Sequence, residues 1–110
     1  MNLPNAADAV VDETKITEYL LSDTHPDGRN KAEFFQRFGF QREKWQVLAE
    51  ALRRHGAVHP VTGTVQSPYG TRYVVEGMLE SPDGRNPLLR TVWIVEIGDS
   101  RPRLVTAYPL

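Results

Sequence analysis

The sequence predicts an α+β protein, with about three N-terminal helices packed on a C-terminal four-stranded antiparallel meander sheet. Apolar residues recur at helical spacing in the first half of the chain and at shorter spacing in the second half. Turn-forming residues then divide the second half into short segments joined by tight turns. We therefore expect a single domain over residues 1–110, helical over 1–56 and antiparallel sheet over 57–110.

Three segments have the apolar periodicity of amphipathic helices. The first is predicted over Glu13–Leu21, with Asp12 as its N-cap. The second is predicted over Arg29–Phe38 and the third over Arg42–Arg54, where Gly56 is expected to stop the helix. The helical half is thus expected to supply one apolar stripe per helix to the core.

Four later segments have the composition and length of β-strands. Pro60 and Pro68 flank the first of them, which is typical of an edge strand. The short turns between the others indicate a meander. The predicted strands are Val61–Gln66, Thr71–Leu79, Leu88–Ile97 and Arg103–Tyr108.

The predicted turns determine which strand residues share a face. A two-residue loop at Asp83-Gly84 sets Glu76 opposite Thr91, and a loop at Asp99-Ser100 sets Thr91 opposite Tyr108. Opposite side chains share a face, so one face is expected to pack against the helices and the other to be polar and aromatic. The expected polar face carries Arg72, Glu76, Thr91, Trp93, Thr106 and Tyr108, with Val74, Met78, Leu89, Val95 and Leu104 among them. The expected core face carries Tyr73, Val75, Leu79, Leu88, Val92, Ile94, Val105 and Ala107.

The composition is that of an ordinary globular protein, 40% hydrophobic and 25% charged. Cysteine is absent, which excludes disulfides, thiolate metal sites and cysteine nucleophiles. The net charge of −1 argues against the dense basic surface of many nucleic-acid-binding proteins. The first residues do not resemble a secretory signal and no apolar run approaches membrane-spanning length, so we expect a cytoplasmic protein without membrane contact.

The predicted polar face combines the groups that RNA cleavage without a metal requires. A base removes the 2′-hydroxyl proton, a cation stabilises the phosphorane, and the 2′-oxygen is an internal nucleophile. Glu76 or His25 is the candidate base, Arg72 and Lys31 are the candidate cations, and the hydroxyls of Thr91, Thr106 and Tyr108 are orienting groups. The same residue types are also normal on a solvated sheet face, and that interpretation stays open.

His25 is the histidine that the sequence places best for chemistry. It lies in a loop directly before the second helix, and histidine can act as an acid or a base near neutral pH. Lys31 and Arg29 follow closely and are candidate phosphate-binding residues. The alternative is that His25 and Pro26 simply form a capped start of the helix.

No metal or other cofactor is expected. His55 and His59 are four residues apart, but Gly56 lies between them and no third ligand matches. The glycines of the second half form no phosphate-binding motif, and no serine lies in a nucleophile elbow.

Four blocks of the sequence resemble a small bacterial family of uncharacterised domains, over nearly the whole chain. They are His25–Phe35, Pro68–Gly77, Arg90–Val95 and Pro102–Pro109. More distantly, helices followed by an antiparallel meander resemble the barnase–EndoU–colicin–RelE nuclease superfamily, whose members are often toxins. This resemblance implies catalytic side chains on the sheet face that points away from the helices.

Two functions follow as hypotheses. The first is a metal-independent ribonuclease-like domain, the toxin of a toxin–antitoxin pair, with RNA as substrate and a small antitoxin-like protein as partner. The last strands offer Thr106 and Tyr108 where barnase-type enzymes have a histidine, so His25 would fill that place from the helical half. The alternative is a non-enzymatic protein-interaction or homodimerising domain that uses the sheet edge and the Trp93–Tyr108 face.

Overall fold

The computed structural model describes residues 1–110 and confirms the predicted fold class. Three helices precede a four-stranded antiparallel sheet with strand order β1-β2-β3-β4. None of the helices combines the length and the hydrophobicity that crossing a lipid bilayer demands. The elements are α1 Glu13–Lys15, which continues as a π-helical segment over Ile16–Leu20, α2 Arg29–Arg37, α3 Trp45–Val58, β1 Val61–Ser67, β2 Gly70–Met78, β3 Leu88–Glu96 and β4 Arg103–Pro109.

The predicted end of the third helix is wrong, whereas Asp12 lies at the predicted N-cap position of the first helix. Gly56 does not stop α3 but lies inside it. A Cβ atom at this position would come within 2.8 Å of a Trp93 ring carbon, so a larger residue would not fit. The glycine therefore lets α3 approach the indole closely. Asp12 does not cap α1 with its side chain. Its carboxylate instead accepts a hydrogen bond of 2.7 Å from Arg103, which ties the start of α1 to β4.

The hydrophobic core lies between the helices and one face of the sheet. The helices contribute Ile16, Phe35 and Leu48, and none of these side chains is accessible to solvent. Burial of such apolar side chains is the main driving force for packing the helical half onto the sheet. The sheet residues of the core cluster are Val75, Leu79, Leu89, Trp93, Leu104 and Ala107.

The predicted register of the β2–β3 hairpin is wrong by one residue. The connection spans residues 79–87 and is not a two-residue loop, so Glu76 lies opposite Arg90 and Val74 opposite Val92. A shift of one residue moves every side chain of a strand to the other face. Thr91 and Trp93 therefore point to the helices.

Three of the eight expected core residues, Leu88, Val92 and Ile94, consequently lie on the other face of the sheet. A fourth, Val105, lies at an irregularity of β4 and lines a surface cleft with Tyr19. Leu88, Val92, Ile94 and Val105 are not buried, and Leu88 is 57% exposed. The expectation is met for Val75, Leu79 and Ala107, which are fully buried, and for Tyr73, which packs against the core. The open face, defined as the sheet face without helices, contains no fully buried residue on β2, β3 or β4.

Candidate functional site

A cluster of polar and charged groups surrounds Tyr19, which lies in the π-helical segment. Short π-helical segments occur frequently at functional sites, because the extra residue per turn redirects side chains. The Tyr19 hydroxyl lies 3.0 Å from the Thr106 hydroxyl on β4. The ring of His25 packs edge-on against the Tyr19 ring at a centroid distance of 5.0 Å. We call Lys15, Tyr19, His25, Lys31 and Thr106 the Tyr19 cluster.

The loop that carries His25 is held rigidly by its own side chains. Nδ1 of His25 accepts hydrogen bonds from the backbone N–H groups of Asp27 and Gly28, at 3.0 and 3.1 Å. The Ser22 hydroxyl accepts two more, from Thr24 and His25. Because Nδ1 is an acceptor, the proton of the neutral ring lies on Nε2. The neutral ring of His25 therefore presents Nε2–H as its hydrogen-bond donor.

Two lysines bring positive charge to the same ring. The ammonium groups of Lys15 and Lys31 each lie 5.3 Å from the centroid of Tyr19, within cation–π distance. Lys31 also donates a hydrogen bond to the backbone carbonyl of Asp27. Neither lysine forms a salt bridge, since every salt bridge of the protein has an arginine as its cation. Two cations without a carboxylate partner form a site that favours an anion.

An open cleft of about 450 Å³ exposes the cluster to solvent. Glu18 lines this cleft beside Lys15 and supplies its carboxylate. The cleft lies at the outer edge of the sheet, because β4 is the last strand. Its lining therefore combines the Lys15 ammonium, a carboxylate, an imidazole and the hydroxyls of Tyr19 and Thr106, in a position that a long polymer can reach. Lys31 contacts the Tyr19 ring but does not line the cleft itself.

A second group of polar side chains forms a row across the open face. Arg90 donates a hydrogen bond of 2.7 Å to the Glu76 carboxylate and a longer one, of 3.4 Å, to the Tyr108 hydroxyl. The hydrogen bond from Arg90 lowers the pKa of Glu76, and those to Tyr108 and Glu76 raise the pKa of Arg90. Both groups are thus charged and neutralise each other. We call Glu76, Arg90 and Tyr108 the open-face row.

The structure divides the predicted site residues into these two groups. His25, Lys31 and Thr106 belong to the Tyr19 cluster, whereas Glu76 and Tyr108 belong to the open-face row. Arg72, Arg29 and Thr91 belong to neither group. Arg72 is exposed on the open face opposite Ile94, and Arg29 is exposed at the start of α2. Thr91 is fully buried beneath the helices, so the expectation that it shares a face with Glu76 and Arg72 is wrong.

Thr91 instead belongs to a buried hydrogen-bond network with His55. Its hydroxyl accepts a hydrogen bond of 2.9 Å from the Trp93 indole and donates one of 3.1 Å to Nδ1 of His55. The expected Trp93–Tyr108 interaction face does not form, because Trp93 is fully buried. The structure contains no group of three histidine, aspartate or glutamate side chains that could hold a metal ion.

Comparison with known proteins places the chain in a family. A model of a domain of unknown function matches residues 2–110. The chain belongs to this family, DUF6883. None of the curated proteins matches it.

The DUF6883 chain shares its fold with a solved structure. A chain of a contact-dependent growth inhibition toxin–immunity protein complex from Klebsiella pneumoniae 342 superposes with a TM-score of 0.73. The two are 20% identical, and the alignment covers 94% of this chain and 95% of that chain. At this identity the likeness shows a common fold.

Sequence reasoning missed three residues of the two groups in the DUF6883 chain, and it also missed Glu18 in the adjoining cleft. Lys15, Glu18 and Tyr19 appeared to be ordinary positions of an amphipathic helix, and nothing in their spacing indicates a π-helical segment. Arg90 was missed because the predicted register set Glu76 opposite Thr91. The observed pairing differs from the predicted one by one residue. A longer predicted β2–β3 connection would have allowed this pairing, which places Arg90 opposite Glu76.

Proposed function

We propose that this chain is a metal-independent ribonuclease-like domain whose active site is the Tyr19 cluster. The observation that carries the proposal is the pair of ammonium groups, Lys15 and Lys31, held at one tyrosine ring without a carboxylate partner. A phosphodiester is the polymer-borne anion that fits an open cleft with hydroxyls in its lining and two ammonium groups at one of its rings. The resemblance to the barnase–EndoU–colicin–RelE superfamily supports a toxin role, and the fold shared with a chain of a toxin–immunity complex fits a toxin or an immunity protein.

The residues of the cleft have distinct roles in this proposal. Glu18 takes the 2′-hydroxyl proton, the 2′ oxygen forms a bond to phosphorus, and the bond from phosphorus to the 5′ oxygen breaks. The two ammonium groups and the Nε2–H of His25 stabilise the negative charge of the phosphorane. A lysine ammonium protonates the leaving 5′ oxygen. Glu76, the base expected from the sequence, is replaced by Glu18, because Glu76 is held by Arg90 outside the cleft.

His25 allows a sharp test, because two substitutions separate its two ring nitrogens. His25→Asn keeps an acceptor near the position of Nδ1, so the loop stays capped, but it removes the Nε2–H donor. We expect His25→Asn to lower RNA cleavage in EDTA by about 100-fold or more while the urea midpoint stays unchanged. His25→Gln removes the acceptor and should lower the urea midpoint. Undiminished cleavage by His25→Asn would rule out this role.

The lysines provide the second test, with Lys44 as the matched control. Lys44 is exposed in the turn before α3 and is not one of the two lysines at the Tyr19 ring. We expect Lys15→Ala and Lys31→Ala each to lower cleavage by about 10-fold or more and Lys44→Ala to leave it unchanged. Expression of the wild-type chain should inhibit growth, and His25→Asn should relieve the inhibition. Equal activity of all three lysine variants contradicts the proposed site.

A further inference from the structure

The open-face row lies next to the Tyr19 cluster along β4. Thr106 and Tyr108 are two residues apart on this strand, opposite Val92 and Arg90 on β3. Alternate residues of a strand point to the same side and lie about 7 Å apart, which is close to the spacing of successive nucleotides in an extended strand. A polymer whose phosphate occupies the Tyr19 cluster therefore passes over Tyr108 and Arg90.

The two groups differ in charge, and this difference indicates what each one binds. The lysines of the Tyr19 cluster have no carboxylate partner and suit a phosphate. In the open-face row, Glu76 neutralises Arg90, which removes most of its attraction for a phosphate. What remains is the partly exposed Tyr108 ring with the Arg90 guanidinium over it, 5.5 Å from the ring centroid. Tyrosine rings and guanidinium planes are surfaces on which unpaired bases stack.

We infer that the site takes single-stranded RNA, with the base next to the bound phosphate stacked on Tyr108 and Arg90. This inference rests on the proposed function and names its substrate class. The bases of a duplex are stacked on their neighbours and cannot lie on a protein side chain. The open face receives such a base without rearrangement, since no helix covers it and Tyr108 is only partly buried.

The test measures binding with strands that the enzyme cannot cut. A fluorescein-labelled 2′-O-methyl oligoribonucleotide is titrated by anisotropy in EDTA, as a single strand and after annealing to its complement. Tyr108→Leu removes the ring and Tyr108→Phe keeps it. Tyr69→Leu is the matched control, because Tyr69 is 73% exposed at the β1–β2 turn, away from β4.

We expect the single strand to bind at least about 10-fold more tightly than the duplex. Tyr108→Leu should weaken single-strand binding by about 5- to 100-fold, whereas Tyr108→Phe and Tyr69→Leu should stay within about twofold of the wild type. A photocrosslink from 4-thiouridine in the wild-type complex should map to the Tyr108 peptide. Equal binding of duplex and single strand, or crosslinks confined to Tyr69, would overturn the inference.

The failure of this inference is distinguishable from the failure of the proposed function. If Lys31→Ala abolishes cleavage while Tyr108→Leu binds normally, the active site stands and the path of the strand is wrong. If the wild type cleaves no RNA but binds single strands through Tyr108, the stacking surface stands and the ribonuclease proposal is wrong.

Discussion

At the scale of single residues, the buried His55 explains how a polar side chain occupies the core. Its Nε2 faces the carbonyl oxygens of Gly77 and Leu89, both at 3.1 Å, so Nε2 carries the proton and donates. Nδ1 then accepts from Thr91, whose oxygen in turn accepts from Trp93. Every polar atom of this network has a partner, which is the condition for burying it without a large penalty.

Thr91→Val tests the contribution of this network to stability. Valine has nearly the same shape but leaves the Trp93 N–H and the His55 Nδ1 without partners in the core. Each unpaired buried group costs about 1–3 kcal/mol, so we expect the free energy of unfolding to fall by about 2–4 kcal/mol. Thr64→Val, at an exposed position of β1, should change it by less than about 0.5 kcal/mol. Urea unfolding measures both, and equal midpoints would contradict the network's role.

Thr91 also shows what the sequence could not reveal about the candidate site. A threonine on a strand is equally compatible with a solvated face and with a buried hydrogen bond. The choice depends on the side chain that packs against it, which is His55, 36 positions away. By contrast, Lys31 and His25 lie six residues apart around one loop and one helix turn, and both reach the Tyr19 ring.

At the scale of secondary-structure elements, existence and order were predictable but the hairpin register was not. The second strand of that hairpin is apolar on both faces, with Leu89 and Trp93 on one and Val92 and Ile94 on the other. Hydrophobic alternation therefore does not select a register. The turn at Asp83-Gly84 was correctly located, yet it lies within a longer connection that the strands do not extend into.

The π-helical segment depends on a close contact with the His25 loop, which Gly28 makes possible. A Cβ atom at Gly28 would lie 2.0 Å from the backbone oxygen of Tyr19. We expect Gly28→Ala to push the loop away from Tyr19, to lower the free energy of unfolding by about 1–3 kcal/mol and to weaken RNA cleavage. Gly63→Ala is the control, because a Cβ there meets nothing within 4 Å. Urea unfolding and the cleavage assay in EDTA check the pair. Identical behaviour of the two variants would show that this contact does not hold the cluster together.

At the scale of the whole molecule, the helices cover one sheet face and leave the other open. The Tyr19 cluster forms where the helical half reaches around the β4 edge, so its residues come from both halves of the chain. Local sequence patterns place residues on elements but do not determine how two halves meet. This is why Thr106 was expected beside Glu76 and is instead joined to Tyr19.

The fold as a whole should lose stability in mild acid because of His55. Burial lowers the pKa of His55 below its ordinary value of 6.5, against the opposing hydrogen bond to Gly77. Below pH 6.5 the unfolded chain therefore takes up a proton that the folded chain does not. The free energy of unfolding falls as the pH decreases towards the folded pKa, with a slope that approaches about 1.4 kcal/mol per pH unit.

The other charged groups near His55 do not reverse this loss of stability at lower pH. His59 packs edge-on against its ring at 4.8 Å and further lowers the pKa of His55, while Arg54 and Glu80 pair with each other in the adjoining cleft. The carboxyls whose pKa is lowered titrate from ordinary values of 4.5 or less, so they act at more acidic pH.

Urea unfolding between pH 8 and 5 should show a plateau above pH 7 and a decline below 6.5. The His55→Gln variant should be less stable at every pH, but its free energy of unfolding should change less between pH 6.5 and 5. An unchanged slope in this variant would assign the acid sensitivity to another group.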